Sequence, residues 1–463
     1  MDRGEELKRI FGNIVMTDPV VMKPYETDAS YFTGVKPIAV VIPESVSQVS
    51  AVISYCNKNK IPVVTRGGGT SLTGSSIPSP GSVILSMGKF DRILEVKPED
   101  RYAVVEPGVR LEALNDSLSE IGFFYPPDPA SAIAATVGGS ISTNAGGLRA
   151  SMYGTTKNWI LGLEVVLPDG TVMKTGGKVL KRTAGYDLTS LFVGAEGTLG
   201  VVTKVTLKIW PVPEATGRIL AYYRDIESIG TAIADLKRNG KTPLIAEFLD
   251  RITMDSLHQS SGIEFPADAS YMLIVDMAAE GKSIDDSIKT AQEILSRHNP
   301  TTIETTRDRA KMEKFYQARK GAYSSLLNQR TSMSERVVIG DIVVPASQLP
   351  EALKQASLKL KEHNVKAALF GHIADGNIHA NIYADMDDPV NMENVEEFQK
   401  DLAMIAIRHQ GSVSAEHGIG LEKKELLKME HMETGNEEAL ALMKRIKGIL
   451  DPNGIMNRGK MFD

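Results

Sequence analysis

Cysteine is almost absent from this chain of 463 residues; Cys56 stands alone, so no internal disulfide can form. That scarcity suits a reducing, cytoplasmic setting. No apolar run approaches the ~18 residues that a membrane-spanning helix needs. The N-terminus mixes Arg3, Glu5, Glu6, Lys8 and Arg9 with single apolar residues, unlike the apolar core of a secretion signal. Neither charge dominates: 52 basic and 58 acidic residues are interspersed and leave a net charge of -6, which offers no footing for nucleic acid. Internal repeats, low-complexity tracts and a cysteine cluster for an iron–sulfur centre are missing too. Histidine is missing from the whole first half, and all eight lie between His258 and His431.

What is present reads as an ordinary globular protein, 42% hydrophobic and 24% charged, and long enough for two or three domains. Ser45 and Gln48 form a capping box for a helix over 45–59, which leads into a strand over 61–65. Cys56 lies at helical spacing with Val46, Val49 and Ile53, which predicts a buried core thiol. Short β-rich pieces follow at 82–86, 92–97, 101–105, 160–167 and 200–210, separated by glycine turns. Pro211 and Pro213 then mark a boundary. Beyond it, strands at 218–223, 271–277 and 301–306 alternate with helices at 226–239 and 283–298, which predicts a sheet with helices packed on one face. Further helices are expected at 308–329, 347–363 and 394–410, with a helical tail from 421 that ends in Asp451-Pro452-Asn453-Gly454. The expected division is 1–213, 214–420 and 421–463. A glycine-rich half without histidine, joined to a half holding every histidine, suggests one domain for a cofactor and one for substrate chemistry.

Three glycine clusters punctuate the first half. Arg66-Gly67-Gly68-Gly69-Thr70-Ser71-Leu72-Thr73-Gly74 follows a strand directly. Consecutive glycines let several N–H groups converge, which suits a diphosphate, and the hydroxyls and Arg66 add donors. The run matches neither a Walker loop nor the G-x-G-x-x-G fingerprint. Thr136 to Gly147, preceded by Pro126 to Ser131, is the second cluster, and Gly194 to Gly200 is the third. Each alone reads equally as a tight turn. Three in one domain fit backbone approach to one large ligand better.

The second half holds the segment Ala367 to Ile382, in which apolar residues flank Asp375-Gly376, a strong hairpin signal. A two-residue loop there would pair 374 with 377, 373 with 378 and 372 with 379. His372 and His379 would then stand directly opposite on one face, with Cβ atoms roughly 4.5–5.5 Å apart, a spacing that suits a shared metal ion. Glu416, in Ser412 to Gly420, is the third metal candidate. Two imidazoles and a carboxylate suit zinc, and also manganese or iron. His417 follows it; histidine titrates near neutrality and is suited to take a hydroxyl proton, though it reads equally as a hydrogen-bonded histidine near a turn.

Taken together, these motifs resemble the flavin-linked oxidases built on the vanillyl-alcohol oxidase fold, in the branch of D-lactate dehydrogenase, the D subunit of glycolate oxidase, and D-2-hydroxyglutarate dehydrogenase. The resemblance covers nearly the whole chain. It implies an α+β architecture: a two-part FAD-binding domain and an α+β substrate cap with an antiparallel sheet. FAD would lie on Arg66, Gly67, Gly68, Gly69, Thr70, Ser71 and Gly74. Pro127, Asp128, Ser131, Val137, Gly138, Gly139, Ser142, Asn144 and Gly147, then Glu196, Gly200, Val201 and Asn457, would line the rest. This chain has Asn457-Arg458-Gly459-Lys460 where the family has Asn-Pro-Gly-Lys, and Ala374 where the family has glycine. No histidine precedes His258 and Cys56 reads as buried, so the FAD is expected to be dissociable. By the same resemblance His372, His379 and Glu416 match metal ligands, His417 the catalytic base, Arg319 the substrate-carboxylate arginine, and Asn381 and His372 substrate contacts. Relatives differ at Asp341.

The implied activity is FAD-dependent oxidation of a small D-2-hydroxy acid such as D-lactate, glycolate or D-2-hydroxyglutarate. Electrons would pass to an electron-transfer flavoprotein, a quinone or an iron–sulfur subunit, the last two compatible with a peripheral place at a membrane. A homodimer is compatible with the sequence. Two rivals share the fold: a flavin-using transferase like alkylglycerone-phosphate synthase, and a flavoprotein subunit of a multi-component oxidase that turns over only with its partners.

Overall fold

A computed structural model describes residues 3–462. The chain divides into two units, one formed by residues up to 146 with 155–212 and 416 onward, the other by 147–154 and 213–415.

In the first unit, apolar β-branched runs build a four-stranded sheet in the order Val15–Met16, Ala39–Val41, Val83–Ser86, Val63–Arg66. The last three strands are parallel, an arrangement that needs a crossover. The helix Val46–Lys58 supplies it. Ser45 Oγ accepts the Gln48 N–H at 3.3 Å, as the capping box predicts. The Gln48 side chain, however, takes the N–H of Glu44 at 2.7 Å rather than that of Ser45. Val49, Val52, Ile53 and Cys56 are fully buried on the helix's inner face, each worth roughly 1.5–3 kcal/mol for a Val or Ile side chain. Burial pushes the Cys56 thiol up to about 12, as befits the expected core thiol.

A second, five-stranded sheet runs Ile93–Lys97, Tyr102–Val105, Val201–Lys208, Ile160–Val166, Val172–Gly176, antiparallel throughout. Its central strand alternates buried Val201, Thr203, Val205 and Leu207 with half-buried neighbours, the period of two of a pleated strand. After the helices Lys424–Glu433 and Glu437–Leu450, the chain end returns to the parallel sheet. Val63 donates its N–H to Ile455 at 2.8 Å, and Asn457 donates to Val63 at 2.8 Å. The C-terminal segment is thereby laid beside the strand that feeds the first glycine loop.

The second unit is a seven-stranded antiparallel sheet in the order Thr302–Thr306, Ala215–Tyr223, Tyr271–Ala279, Ile245–Asp250, Ala367–His372, Asn377–Asp385, Glu335–Val343. Its helices cover both faces rather than the one face expected. Tyr222 packs with Met254, Leu257 and Ala322 on one side, while Tyr223 reaches the Leu295 carbonyl of the helix Ser283–Ser296 on the other. Residues 217–223 are accordingly buried without alternation, the mark of a strand covered on both faces. The helix expected over 308–329 is two, Arg309–Lys320 and Ala322–Leu327, joined at Gly321.

Candidate active site

The three glycine clusters come together in the first unit. A Cβ on Gly67 would lie 2.4 Å from Thr136 Oγ1, and one on Gly68 would lie 2.1 Å from the Ala134 carbonyl oxygen. The first loop therefore packs on the second cluster so closely that only glycine fits. Gly194 and Glu196 donate their N–H groups to Ile141 and Ser142, both at 2.8 Å, which ties the third cluster to the helix Val137–Thr143 of the second. Asn457 Nδ2 bridges the first and third clusters by donating to the carbonyls of Ser75 (3.0 Å) and Glu196 (2.6 Å).

Several expected cofactor residues turn out to hold the cradle itself. Arg66 donates to the Thr27 carbonyl at 2.7 Å, which binds the loop to the preceding segment. Ser142 Oγ donates to the Gly138 carbonyl at 2.9 Å. Asn144 is left-handed and its Oδ1 accepts from Thr155 Oγ1 and the Lys157 N–H, both at 2.9 Å. Gly200 and Val201 pack in the core, while Asp128 is buried and Pro127 and Ser131 lie close by in sequence. Gly147 falls in the second unit. What fits a dinucleotide is the polarity left over. Among the described residues, no N–H from Gly67 to Leu72 donates to a backbone acceptor, and the buried Thr65 Oγ1 and Asn457 Oδ1 have no hydrogen-bond partner.

Glu196 serves the segment that carries Glu416 and His417. Its fully buried carboxylate accepts from the Ile419 N–H (2.6 Å), the Gly420 N–H (2.9 Å) and Ser75 Oγ (2.7 Å). Desolvation raises its pKa, and those three hydrogen bonds oppose the rise. Thr73 Oγ1 donates to the His417 carbonyl at 3.3 Å. Glu416 rests on the second glycine cluster: a Cβ on Gly146 would come within 2.8 Å of its Oε2. The His417 ring nitrogen Nε2 lies 3.8 Å from Glu416 Oε1, too long for a hydrogen bond.

In the second unit the hairpin forms with a different register. His379 pairs with Phe370, not His372, and Ala380 pairs with Leu369. The connection is the four residues Ile373 to Gly376, closed by Gly376 N–H to the Ile373 carbonyl at 3.2 Å. Ile373 and Ala374 are buried, and Ile373 donates to Ala246 at 3.0 Å, so the apolar residues extend the neighbouring pairing instead of a two-residue turn. Gly376 has φ +87, and a Cβ there would sit 1.9 Å from the Val344 carbonyl oxygen. The slip is two residues, and a slip of two keeps each side chain on its face. His372 and His379 are thus diagonal neighbours with ring centroids 5.3 Å apart and ligating nitrogens within 4.8 Å.

Around them lies a buried polar cluster. His372 stands opposite Glu247 of the next strand, and its Nδ1 lies 2.6 Å from Glu247 Oε1. Arg319, on the helix Arg309–Lys320, donates Nε–H to Glu247 Oε2 at 2.6 Å and stacks over Phe370 at 4.3 Å. Its Nη2 is as close to that oxygen, 2.6 Å, yet makes no aligned hydrogen bond. The guanidinium is only 4% exposed. Asn381 Nδ2 donates to its cross-strand neighbour Ala368 at 3.3 Å, and its buried Oδ1 has no partner. Asp341 stands opposite His379 on the adjoining strand. It accepts from Asn377 Nδ2 at 2.8 Å and from the Ala415 N–H at 3.2 Å, and lies 3.6 Å from His379 Nδ1. Sequence reasoning missed Glu247, although a lone carboxylate inside Leu244-Ile245-Ala246-Glu247-Phe248-Leu249 was a usable signal.

Comparison with known proteins places these features in a group. A family described as FAD linked oxidases, C-terminal domain, matches residues 212–461, and one described as FAD binding domain matches residues 37–176. Glycolate oxidase subunit GlcD of Bacillus subtilis is 33% identical over 95% of this chain and 92% of its own. D-lactate dehydrogenase of Archaeoglobus fulgidus is 32% identical over 91% of this chain and 90% of its own. Among solved structures, p-cresol methylhydroxylase with substrate bound superposes with a TM-score of 0.81 at 20% identity, covering 100% of this chain and 96% of that one. That last likeness is one of fold, and it bears out the expected α+β architecture of an FAD-binding part and a cap with an antiparallel sheet.

Proposed function

Because the chain belongs to the FAD-linked oxidase family and is an oxidoreductase by that membership, we propose that it oxidises a small D-2-hydroxy acid (D-lactate, glycolate or D-2-hydroxyglutarate) to the 2-oxo acid. The observation that carries this reading is the buried cation beside two imidazoles on one sheet face. Arg319 is the group for the substrate carboxylate, since a planar guanidinium binds it through paired N–H donors. Its Nε and Nη2 edge faces Glu247 Oε2, both nitrogens at 2.6 Å.

When bound, non-covalent FAD would accept the hydride from C2 and a divalent ion would acidify the 2-hydroxyl. We assign the ion, zinc with manganese or iron as alternatives, to His372, His379 and Glu416. The set is the one that the family resemblance implies, and within the second unit Asp341, the cross-strand partner of His379, accepts the Ala415 N–H. His417 takes the hydroxyl proton at a ring nitrogen, and Asn381 Oδ1, buried and unpartnered, accepts from a substrate hydroxyl. Arg66 to Gly74, Pro127 to Ser131, Val137 to Gly147, Glu196 to Val201 and Asn457 form the FAD cradle, with residues 1–213 and 421–463 its domain and 214–420 the substrate domain.

The reduced flavin would hand its electrons to a partner protein or a quinone, in keeping with the subunit named among the relatives. We place the protein in the cytoplasm on the strength of its single cysteine; among the described residues no helix is long and apolar enough to cross a membrane. The test is anaerobic mixing of the FAD-loaded chain with D-lactate, L-lactate, glycolate and D-2-hydroxyglutarate. Bleaching by one of them supports oxidation. Acyl-chain exchange on a phosphate substrate without bleaching would favour the transferase instead.

A further inference from the structure

Glu247 is the most thoroughly buried carboxylate near the proposed chemistry, 0% exposed, and each of its oxygens faces a different functional side chain. Oε1 lies 2.6 Å from His372 Nδ1, and Oε2 accepts from Arg319 Nε at 2.6 Å. A carboxylate only accepts, so Nδ1 of His372 carries the hydrogen of this contact, and the ring's other nitrogen is Nε2. That is the nitrogen a metal takes when a carboxylate holds the other one. The same carboxylate fixes the fork of Arg319 from behind, while Phe370 packs against its plane at 4.3 Å. The three residues come from two adjacent strands and a helix of one unit, so the arrangement is internal to the second unit.

We infer that Glu247 is a positioning residue that sets the tautomer of His372 and the aim of Arg319 with one side chain, coupling metal ligation to carboxylate recognition. The inference rests on the reading that His372 is a metal ligand and Arg319 the carboxylate site. A purely structural ion pair would need neither the second contact nor a defined tautomer. A carboxylate shared between the two instead makes each sensitive to the loss of the other's anchor. Glutamine at this position keeps the shape but offers one oxygen and one NH2 group, so it satisfies one donor and opposes the other.

The test uses the full chain with FAD bound, stripped of metal by a chelator. Zinc affinity is read by competition with a chromogenic chelator, and D-lactate kinetics with an artificial acceptor give KM and kcat separately. Glu247→Gln is expected to lower zinc affinity roughly 10–100-fold, the usual cost of removing such a support. It is also expected to raise KM about tenfold or more, as loss of a charged hydrogen bond does. Unchanged zinc affinity and KM in a folded Glu247→Gln chain would overturn the inference. A second measurement needs no folded variant at this position: 15N-histidine labelling of the wild-type, metal-free chain, with His372 assigned through His372→Asn. A proton on Nδ1 supports the inference, and a proton on Nε2 overturns it. If the wild-type chain itself binds no zinc and no acid bleaches its flavin, the proposed function fails, an outcome distinct from either of these.

Discussion

Gly146→Ala should damage the metal site while leaving the fold intact. Gly146 has no positive φ, so alanine is allowed in the backbone. The new methyl would nevertheless lie 2.8 Å from Glu416 Oε2 and 3.3 Å from Glu416 Cβ, where ordinary contact begins at 3.4 Å. The nearest atom is the end of a flexible side chain, so the carboxylate moves by about 0.6 Å (3.4 less 2.8) and little else has to. Stability should then change by less than about 1 kcal/mol, because the reduced freedom of the unfolded chain favours alanine by a similar amount. Metal geometry is far less forgiving, since ligand distances hold to within about 0.2 Å. Zinc affinity should therefore fall by at least about tenfold, roughly 1.4 kcal/mol. Calorimetric titration of the chelator-stripped chain with zinc gives the affinity, and thermal unfolding without metal gives the stability. Gly448, inside the helix Glu437–Leu450 with open space around its Cβ position, is the control. Gly448→Ala should stabilise by roughly 0.5–1 kcal/mol and leave zinc untouched. A folded Gly146→Ala chain that binds zinc as tightly as the wild type would refute the assignment of Glu416 as a ligand.

Other outcomes follow from single groups. Lys460 is 3% exposed, donates to the Ile77 carbonyl at 2.9 Å, and is pushed by burial down to about 8. Its folded pKa is lower than its unfolded value of 10.5, so the unfolded chain holds the proton between those limits and stability rises with pH across that window. The stability difference between the wild type and Lys460→Met should shift by about 3 kcal/mol in favour of the wild type from pH 8 to 10.5, by denaturant titration; a pH-independent difference would contradict this. Cys56, with its thiol near 12, should resist a thiol reagent until the chain is unfolded. Arg319→Met should raise the KM for a 2-hydroxy acid by about 100-fold, with a smaller effect on kcat; an unchanged KM would remove Arg319 from the substrate site.

Much of this was legible in the sequence because it is local or periodic. The capped helix after Ser45, the buried Cys56 and the alternating strand Val201–Lys208 all follow from spacing alone. The glycine clusters could be recognised because a glycine needed for close approach has no substitute, as Gly67 and Gly68 demonstrate against Thr136 and Ala134. The hairpin register was not legible. It is decided by where Ile373 finds a partner, the Ala246 carbonyl, more than a hundred residues away in sequence. The face of the two histidines survived that error because the pleat repeats every two residues. Glu247 and Asp341 were obscure for a similar reason: a carboxylate in an apolar strand declares that something pairs with it, but not what. Helices on both faces of the second sheet were hidden by apolar runs that read alike whether one face or two are covered.

The central claim is that a metal-supported flavin centre oxidises a 2-hydroxy acid, and anaerobic flavin spectroscopy before and after chelation tests it most directly. One acid of the panel should bleach the flavin, chelation should abolish the bleaching, and zinc or manganese should restore it. Equal bleaching rates in the chelated and the metal-replete protein would contradict the metal's role, and a flavin that every acid leaves oxidised in the metal-replete protein would contradict the reaction itself.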